Sequence, residues 1–227
     1  MQTLHIIARL QTPLTEKFGL PRQSGLVESL TATVVFEPPY RDPQALRGIE
    51  GFSHLWLIWG FSEAARETWS PTVRPPRLGG NTRMGVFATR APYRPNPIGL
   101  SAVRLLGVGH DPQLGPTLQV AGADLMDGTP IYDIKPYLPY TDCRADASGG
   151  FAPSAPEARL AVEIPPRLES ALPENLRAAL RDVLALDPRP AYQDDPNRVY
   201  AMAFGGFTVR FRVAGERCTV AEIEEIL

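Results

Sequence analysis

Lysine is nearly missing from this 227-residue chain, which has Lys17 and Lys135 against 21 arginines. Cysteine and histidine are scarce too. Cys143 and Cys218 stand far apart, and His5, His54 and His110 are scattered. A zinc site needs about four clustered ligands, so no metal is expected. Two distant cysteines also suit a reducing cytoplasm. No stretch approaches the ~18–20 consecutive apolar residues of a membrane span. The start, Met1-Gln2-Thr3-Leu4-His5, has no basic segment followed by an apolar run, so a soluble, unexported protein is expected. Long helical patterns are lacking as well, because 24 prolines each remove a backbone donor and clash in helix interiors. With 44% apolar and 21% charged residues the chain still has enough apolar matter for a sizeable core.

The usual nucleotide fingerprints are also missing. Gly107-Val108-Gly109 runs into His110-Asp111-Pro112, without the third glycine and following helix of a dinucleotide loop. There is no phosphate-loop sequence and no Gly-x-Ser-x-Gly elbow. A doubly wound methyltransferase or dehydrogenase is therefore disfavoured.

Acidic residues are absent from one long stretch. The net charge is −2, yet residues 68–110 contain no Asp or Glu while holding Arg74, Arg77, Arg83, Arg90, Arg94 and Arg104. A solvated face usually mixes both signs. A run of planar guanidinium forks without acids is what a nucleic-acid footprint looks like.

Apolar spacing then sketches the elements. Residues 4–10 form a short apolar run. Residues 29–36 alternate, with Leu30, Ala32, Val34 and Phe36 on one face, and read as a half-buried strand. Asp42-Pro43 reads as the cap and first position of a short helix. Residues 54–61 are almost continuously apolar and read as a strand buried on both faces. Ser62-Glu63 opens a turn or two of helix. Residues 85–89 and 98–108 read as strands joined through Pro92, Pro95 and Pro97, and residues 118–125 and 131–138 flank a turn at Asp127-Gly128. Many short strands with Pro/Gly joints predict a mainly β fold, a small closed barrel over residues 1–142. A small α+β domain over 143–227 follows, with an Ala/Pro/Ser-rich connector at 151–166. It has a helix over 173–186, and residues 207–213 form a strictly alternating strand.

Four loops are dense in polar and backbone-special residues: Pro21-Arg22-Gln23-Ser24-Gly25, residues 74–81, residues 89–99, and residues 124–130 continuing to Tyr137. Three strings among them carry a specific resemblance. Arg74 to Thr89 (RPPRLGGNTRMGVFAT), Arg94-Pro-Asn-Pro-Ile-Gly99, and Asp127-Gly-Thr-Pro130 with Asp133-Ile-Lys-Pro-Tyr-Leu-Pro139 are similar to the TrmO (TsaA/YaeB-like) family. Gly51-Phe-Ser-His-Leu-Trp56 and Asp187-Pro-Arg-Pro-Ala-Tyr192 extend the likeness over nearly the whole chain.

The resemblance implies an S-adenosylmethionine-dependent methyltransferase that methylates N6 of the threonylcarbamoyl-modified adenosine 37 of tRNA. It implies a homodimer built on a barrel outside the common methyltransferase folds. It also implies a cofactor pocket lined by Arg22, Gln23, Ser24, Ser62, Glu63, Arg90, Leu100, Asp127, Gly128, Thr129 and Pro130. Related members commonly carry Pro where Ser24 stands and His-Gln where Ser62-Glu63 stands. Arg90 or Arg22 can fork onto the methionine carboxylate, while Asp127 or Glu63 can accept from the amino group or ribose. Asp133 and Lys135, two apart on a strand, share a face. Asp133 suits the N6–H and Lys135 the threonyl carboxylate or a phosphate, with a structural ion pair as the competing account. Tyr137, like Tyr93, can stack on a splayed base. Arg74, Arg77, Arg83 and Arg94 are the expected phosphate contacts, extended by Arg198, Arg210 and Arg212. Two other readings of the same residues stand beside this one: a non-catalytic RNA-binding barrel, and a small-molecule methyltransferase on the same scaffold.

Overall fold

Alternating apolar residues set the first layer. The computed structural model describes residues 3–62, 68–154, 160–190, 193 and 195–226. Its first eight strands are β1 (Ala8–Gln11), β2 (Thr31–Phe36), β3 (His54–Gly60), β4 (Thr72–Val73), β5 (Met84–Gly85), β6 (Ile98–Asp111), β7 (Gly115–Ala121) and β8 (Pro130–Pro136). Six of them close an antiparallel barrel in the order β1-β2-β7-β6-β3-β8, with β8 returning to β1 through Ala8↔Ile131. Closure leaves no unpaired edge. Leu10, Val34, Leu55, Leu57, Val103, Leu118, Val120 and Ile131 fill the interior. Each such side chain stabilises by about 1.5–3 kcal/mol relative to exposure.

Of the residues expected on one face at 29–36, Ala32, Val34 and Phe36 are buried in the barrel, Leu30 is buried in the second core, and Val35 is buried as well. The run at 54–61 is not buried on both faces. Leu55, Leu57 and Trp59 point inward, while Trp56 and Ile58 are only half-buried on the outside and His54 is exposed. A barrel has one interior, so a strand that looks doubly apolar still keeps an outer face. Residues 85–89 also depart from expectation: β5 ends at Gly85, and Val86–Ala88 is a single 3₁₀ turn.

A second sheet follows, built from β9 (Ala161–Glu163), β10 (Tyr200–Phe204), β11 (Phe207–Ala214) and β12 (Arg217–Glu225) in the order β10-β11-β12-β9. Two short helices, α1 (Pro139–Asp142) and α2 (Pro166–Glu169), precede the longer α3 (Glu174–Ala185). Of the stripe expected from its 3.6-residue spacing, Leu180, Val183 and Leu184 are buried, Leu176 is half-buried, and Ala179 is buried beside them. In β11, Val209, Phe211 and Val213 are fully buried. The connector is not wholly irregular, because β9 pairs in parallel with β12. This second core also takes Leu14, Val27 and Leu30 from the chain's first thirty residues. Gly205 N–H donates to the Pro13 carbonyl at 2.7 Å, and Ser29 Oγ to Asp182 Oδ2 at 2.5 Å.

Candidate functional site

Three loops meet at one end of the barrel. Residues 21–25 dock onto the segment after β7 through Gly25 N–H to the Gly122 carbonyl, 2.9 Å. Gly122 has φ 78°, and a Cβ there would lie 3.3 Å from Gly25 Cα, so the approach depends on glycine. Arg90 comes from the third loop and donates to Gln23 Oε1. Arg94 Nη1 donates to the Thr89 and Ala91 carbonyls, both at 3.0 Å, and fixes the turn that presents Arg90. The contacts thus join Gln23 and Arg90, with Gln23 Nε2 donating back to the Arg22 carbonyl at 2.5 Å, and they turn Arg94 toward its own loop.

Beneath this group lies a carboxylate that sequence reasoning missed. Asp124 Oδ1 accepts from Ser101 Oγ at 2.6 Å, and Ser101 Oγ accepts from Trp59 Nε1 at 3.0 Å. Ser101 is 1% exposed, the polar exception on the inward face of β6. Burial pushes the Asp124 carboxyl above the usual carboxylate range. The Ser101 hydroxyl, the Ser24 amide and the Arg90 charge pull the other way without overcoming it. Asp124 therefore ties the Arg22–Ser24 loop to the barrel interior. In the sequence, Asp124 is overshadowed by the turn residue Asp127. Only the long-range partners at 24, 90 and 101 reveal its place.

Asp127, Gly128, Thr129 and Pro130 form the expected turn, and it presents acceptors. The amides of Asp127, Gly128 and Thr129 donate to the Leu14, Leu10 and Met126 carbonyls at 2.8, 2.8 and 3.2 Å. Thr129 is buried, its hydroxyl given to Met126 at 2.7 Å. The Asp127 carboxylate accepts from Thr12 N–H at 3.1 Å, and Arg9 donates to the Gly128 carbonyl at 3.2 Å. The turn's amides are thus committed to the fold, and what it offers a ligand is carboxylate and carbonyl oxygen. Asp127 also edges a hollow of about 530 Å³ with Gln11, Thr12 and Asn175.

Leu100 is exposed on the outer face of β6. It sits in a rung with Ile58 and Asp133, and the next rung is Ala102, Trp56 and Lys135. Adjacent strands lie ~4.8 Å apart, so Leu100 and Asp133 are separated by roughly 10 Å across the face. A bulge at Tyr132 allows Ile131 and Ile134 both to face inward, leaving Asp133 and Lys135 together outside. The two form an ion pair, Nζ to Oδ2 2.8 Å, with both side chains substantially exposed. Tyr137 packs on Trp56 at 5.4 Å between ring centroids. Trp56 Nε1 in turn donates to Asp142 Oδ2 at 2.9 Å. Ser62 is exposed just past Phe61, whose amide donates to the Pro97 carbonyl at 2.9 Å. Glu63, and the helix expected to open there, lie outside the described residues.

Among the arginines expected to hold phosphate, Arg74, Arg77 and Arg83 are exposed. Arg77 donates to the Ser154 carbonyl, and Arg83 donates to Thr72 Oγ1 at 3.2 Å. The extension expected in the second sheet is reduced. Arg210 is held by Glu222 and Glu224 at 2.6 and 2.7 Å, which cancels its charge locally. Arg198 lies over the Tyr200 ring at 5.3 Å.

Comparison with known proteins adds an independent line. Residues 9–143 match the tRNA-methyltransferase O N-terminal domain, and residues 157–226 match the TrmO C-terminal domain. The chain is 45% identical over 228 residues to the tRNA (adenine(37)-N6)-methyltransferase of Escherichia coli K12, covering 96% of each. A Pseudomonas aeruginosa relative, 44% identical over 204 residues and covered to 86% on both sides, has S-adenosylmethionine-dependent methyltransferase in its name. The crystal structure of TrmO from Pseudomonas aeruginosa superposes with a TM-score of 0.81 at 33% identity, over 98% of each chain.

Proposed function

The chain belongs to the tRNA-methyltransferase O family, and we propose that it methylates N6 of N6-threonylcarbamoyladenosine at position 37 of tRNA, using S-adenosylmethionine. The full-length agreement with the Escherichia coli enzyme carries this reading, and the chemistry of the site supports it. The cofactor has a carboxylate that needs donors, an amino group and ribose that need acceptors, and an apolar adenine face. Arg22 and Arg90 are exposed guanidinium forks on two loops linked through Gln23. Asp127 and the Gly128 turn present oxygen acceptors on another, and exposed Leu100 gives an apolar surface. The residues fit the group.

Bound S-adenosylmethionine supplies an electrophilic methyl on a sulfonium, and such a transfer asks the protein mainly for in-line placement. Asp133 accepts the hydrogen bond of N6–H, so that the nitrogen lone pair is concentrated, and takes up the proton that N6 releases on gaining the methyl. Lys135 receives the threonyl carboxylate. Their mutual ion pair is exposed, so exchanging one partner for substrate costs little. Tyr137, braced by Trp56, offers a ring to the base. Ile98, Leu100 and Leu106 leave β6 with exposed apolar side chains. That strip is the surface on which the homodimer would form.

The test incubates purified protein with labelled cofactor and tRNA that carries or lacks threonylcarbamoyl at position 37. Label should enter the modified tRNA and not the unmodified one. Equal labelling of both would overturn the substrate. Absence of thermal stabilisation by the cofactor, expected at about 2.7 kcal/mol at a hundred times Kd, would favour a non-catalytic RNA-binding barrel.

A further inference from the structure

Beside Arg90 an arm rises from the barrel end, and its surface takes no part in the chemistry described above. β4 and β5 pair through Thr72↔Gly85 and Val73↔Met84. At the base of the arm, Trp69 and Phe87 stack on one another, centroids 6.1 Å apart and planes 19° off parallel. Both rings stay open to solvent, Trp69 at 49% and Phe87 at 73% exposure. Two large aromatic rings displayed side by side are costly to leave in water, so they point to a ligand with an aromatic face. Phe87 lies in the 3₁₀ turn that leads directly to Thr89 and Arg90.

The charge around the rings narrows the choice. Carrying the β4–β5 register one residue further sets Arg74 opposite Arg83. Like charges facing each other across strands repel, and the chain supplies no acid to relieve them anywhere between residues 68 and 110. Among the described residues, Arg83 reaches a neutral hydroxyl, Thr72 Oγ1. A facing pair of arginines calls for an anion, and exposed stacked rings call for a π-face. A single strand of nucleic acid supplies both at its natural spacing.

We propose that the Trp69–Phe87 platform takes an unstacked base of the substrate RNA, with its neighbouring phosphates held by Arg74 and Arg83. This rests on the tRNA reading above and adds a point of recognition outside the reacting centre. The experiment titrates a fluorescent anticodon stem-loop RNA into the full chain across a range of salt. Trp69→Ala and Phe87→Ala are each expected to weaken binding by roughly five- to a hundredfold without altering the salt slope. The double variant Arg74→Ala/Arg83→Ala is expected to lower that slope by about 0.7 for each phosphate the arginines no longer neutralise. Trp69→Phe, which keeps the stacking face, should restore most of the affinity, and cofactor affinity should be unchanged in every variant. Aromatic variants that bind the stem-loop within twofold of the parent would overturn the platform. So would a change confined to oligomeric state in sedimentation, since the rings would then belong to an interface between copies of this chain. Stem-loop binding with these signatures but no methyl transfer would sink the functional reading and leave the platform standing.

Discussion

At the residue scale, Asp124 shows how little a local string reveals about a side chain's work. Its carboxylate gathers Ser101, the Ser24 amide and Arg90 from three distant segments, and no spacing rule connects them. Asp127 and the Asp133–Lys135 pair were singled out because family strings contain them, and Arg90 because it directly follows one. Asp124→Ala is expected to weaken cofactor binding about tenfold by releasing the 21–25 loop, measured by calorimetry. The carboxyl's elevated pKa means the folded state holds its proton longer than the unfolded chain. Its effect on stability is therefore absent in acid and becomes a cost as pH rises above about 3.8. Asp124→Asn should flatten that part of the pH–stability curve.

Cys218 obeys the same logic. Burial pushes its thiol up to about 12 from an ordinary 9.0, with Asp187 adding to the shift. The unfolded thiol ionises first, so stability should fall as pH rises from about 9 toward 12. A thiol reagent at pH 8 should label exposed Cys143 at once and Cys218 only after unfolding. Rapid labelling of both in the native protein would contradict this packing.

At the scale of the element, strands and helices with a clean period were readable. β2, α3 and β11 bury most of the residues their spacing selects, with Leu176 and Phe207 half-buried at the element ends. β9 was hidden because three residues carry no period, and its pairing with β12 bridges more than fifty positions. The outer face of β3 misled for a different reason. Trp56 and Ile58 are apolar but lie half-buried on the barrel's outer face between β6 and β8, not in a second core. Packing inside β6 gives a sharp test. A Cβ on Gly99 would lie 2.2 Å from Trp59 Cε2. Gly99→Ala should displace the indole, disturb its bond to Ser101 and cost about 1–3 kcal/mol, read from denaturant midpoints. A variant as stable as the parent would show that the indole has room to move.

At the scale of the whole molecule, the two units suggested by composition are joined more deeply than the sequence implied. Leu14, Val27 and Leu30 complete the core beneath α3 and β11, and Glu16 Oε1 accepts from Ala203 N–H at 2.8 Å. The proline-rich connector marks a change in composition, and cores need not divide where composition does. Removing residues 157–226 should therefore expose three buried apolar side chains and leave a barrel that aggregates or melts well below the full chain. A monodisperse truncation with the parent's melting temperature would refute that coupling. Charge is divided at this scale too, because the acid-free arginine stretch stands against a net −2. Only the folded chain sets Arg74, Arg83 and Arg90 near one end.

The central claim is that this barrel end brings a sulfonium methyl to the N6 of one modified nucleoside. Nucleoside mass spectrometry of tRNA incubated with cofactor and the parent chain tests it most directly. The expected product carries one added methyl on the threonylcarbamoyl nucleoside of position 37, with almost none formed by Arg90→Ala. A methyl found elsewhere in the tRNA, or an equal yield from Arg90→Ala, would contradict it.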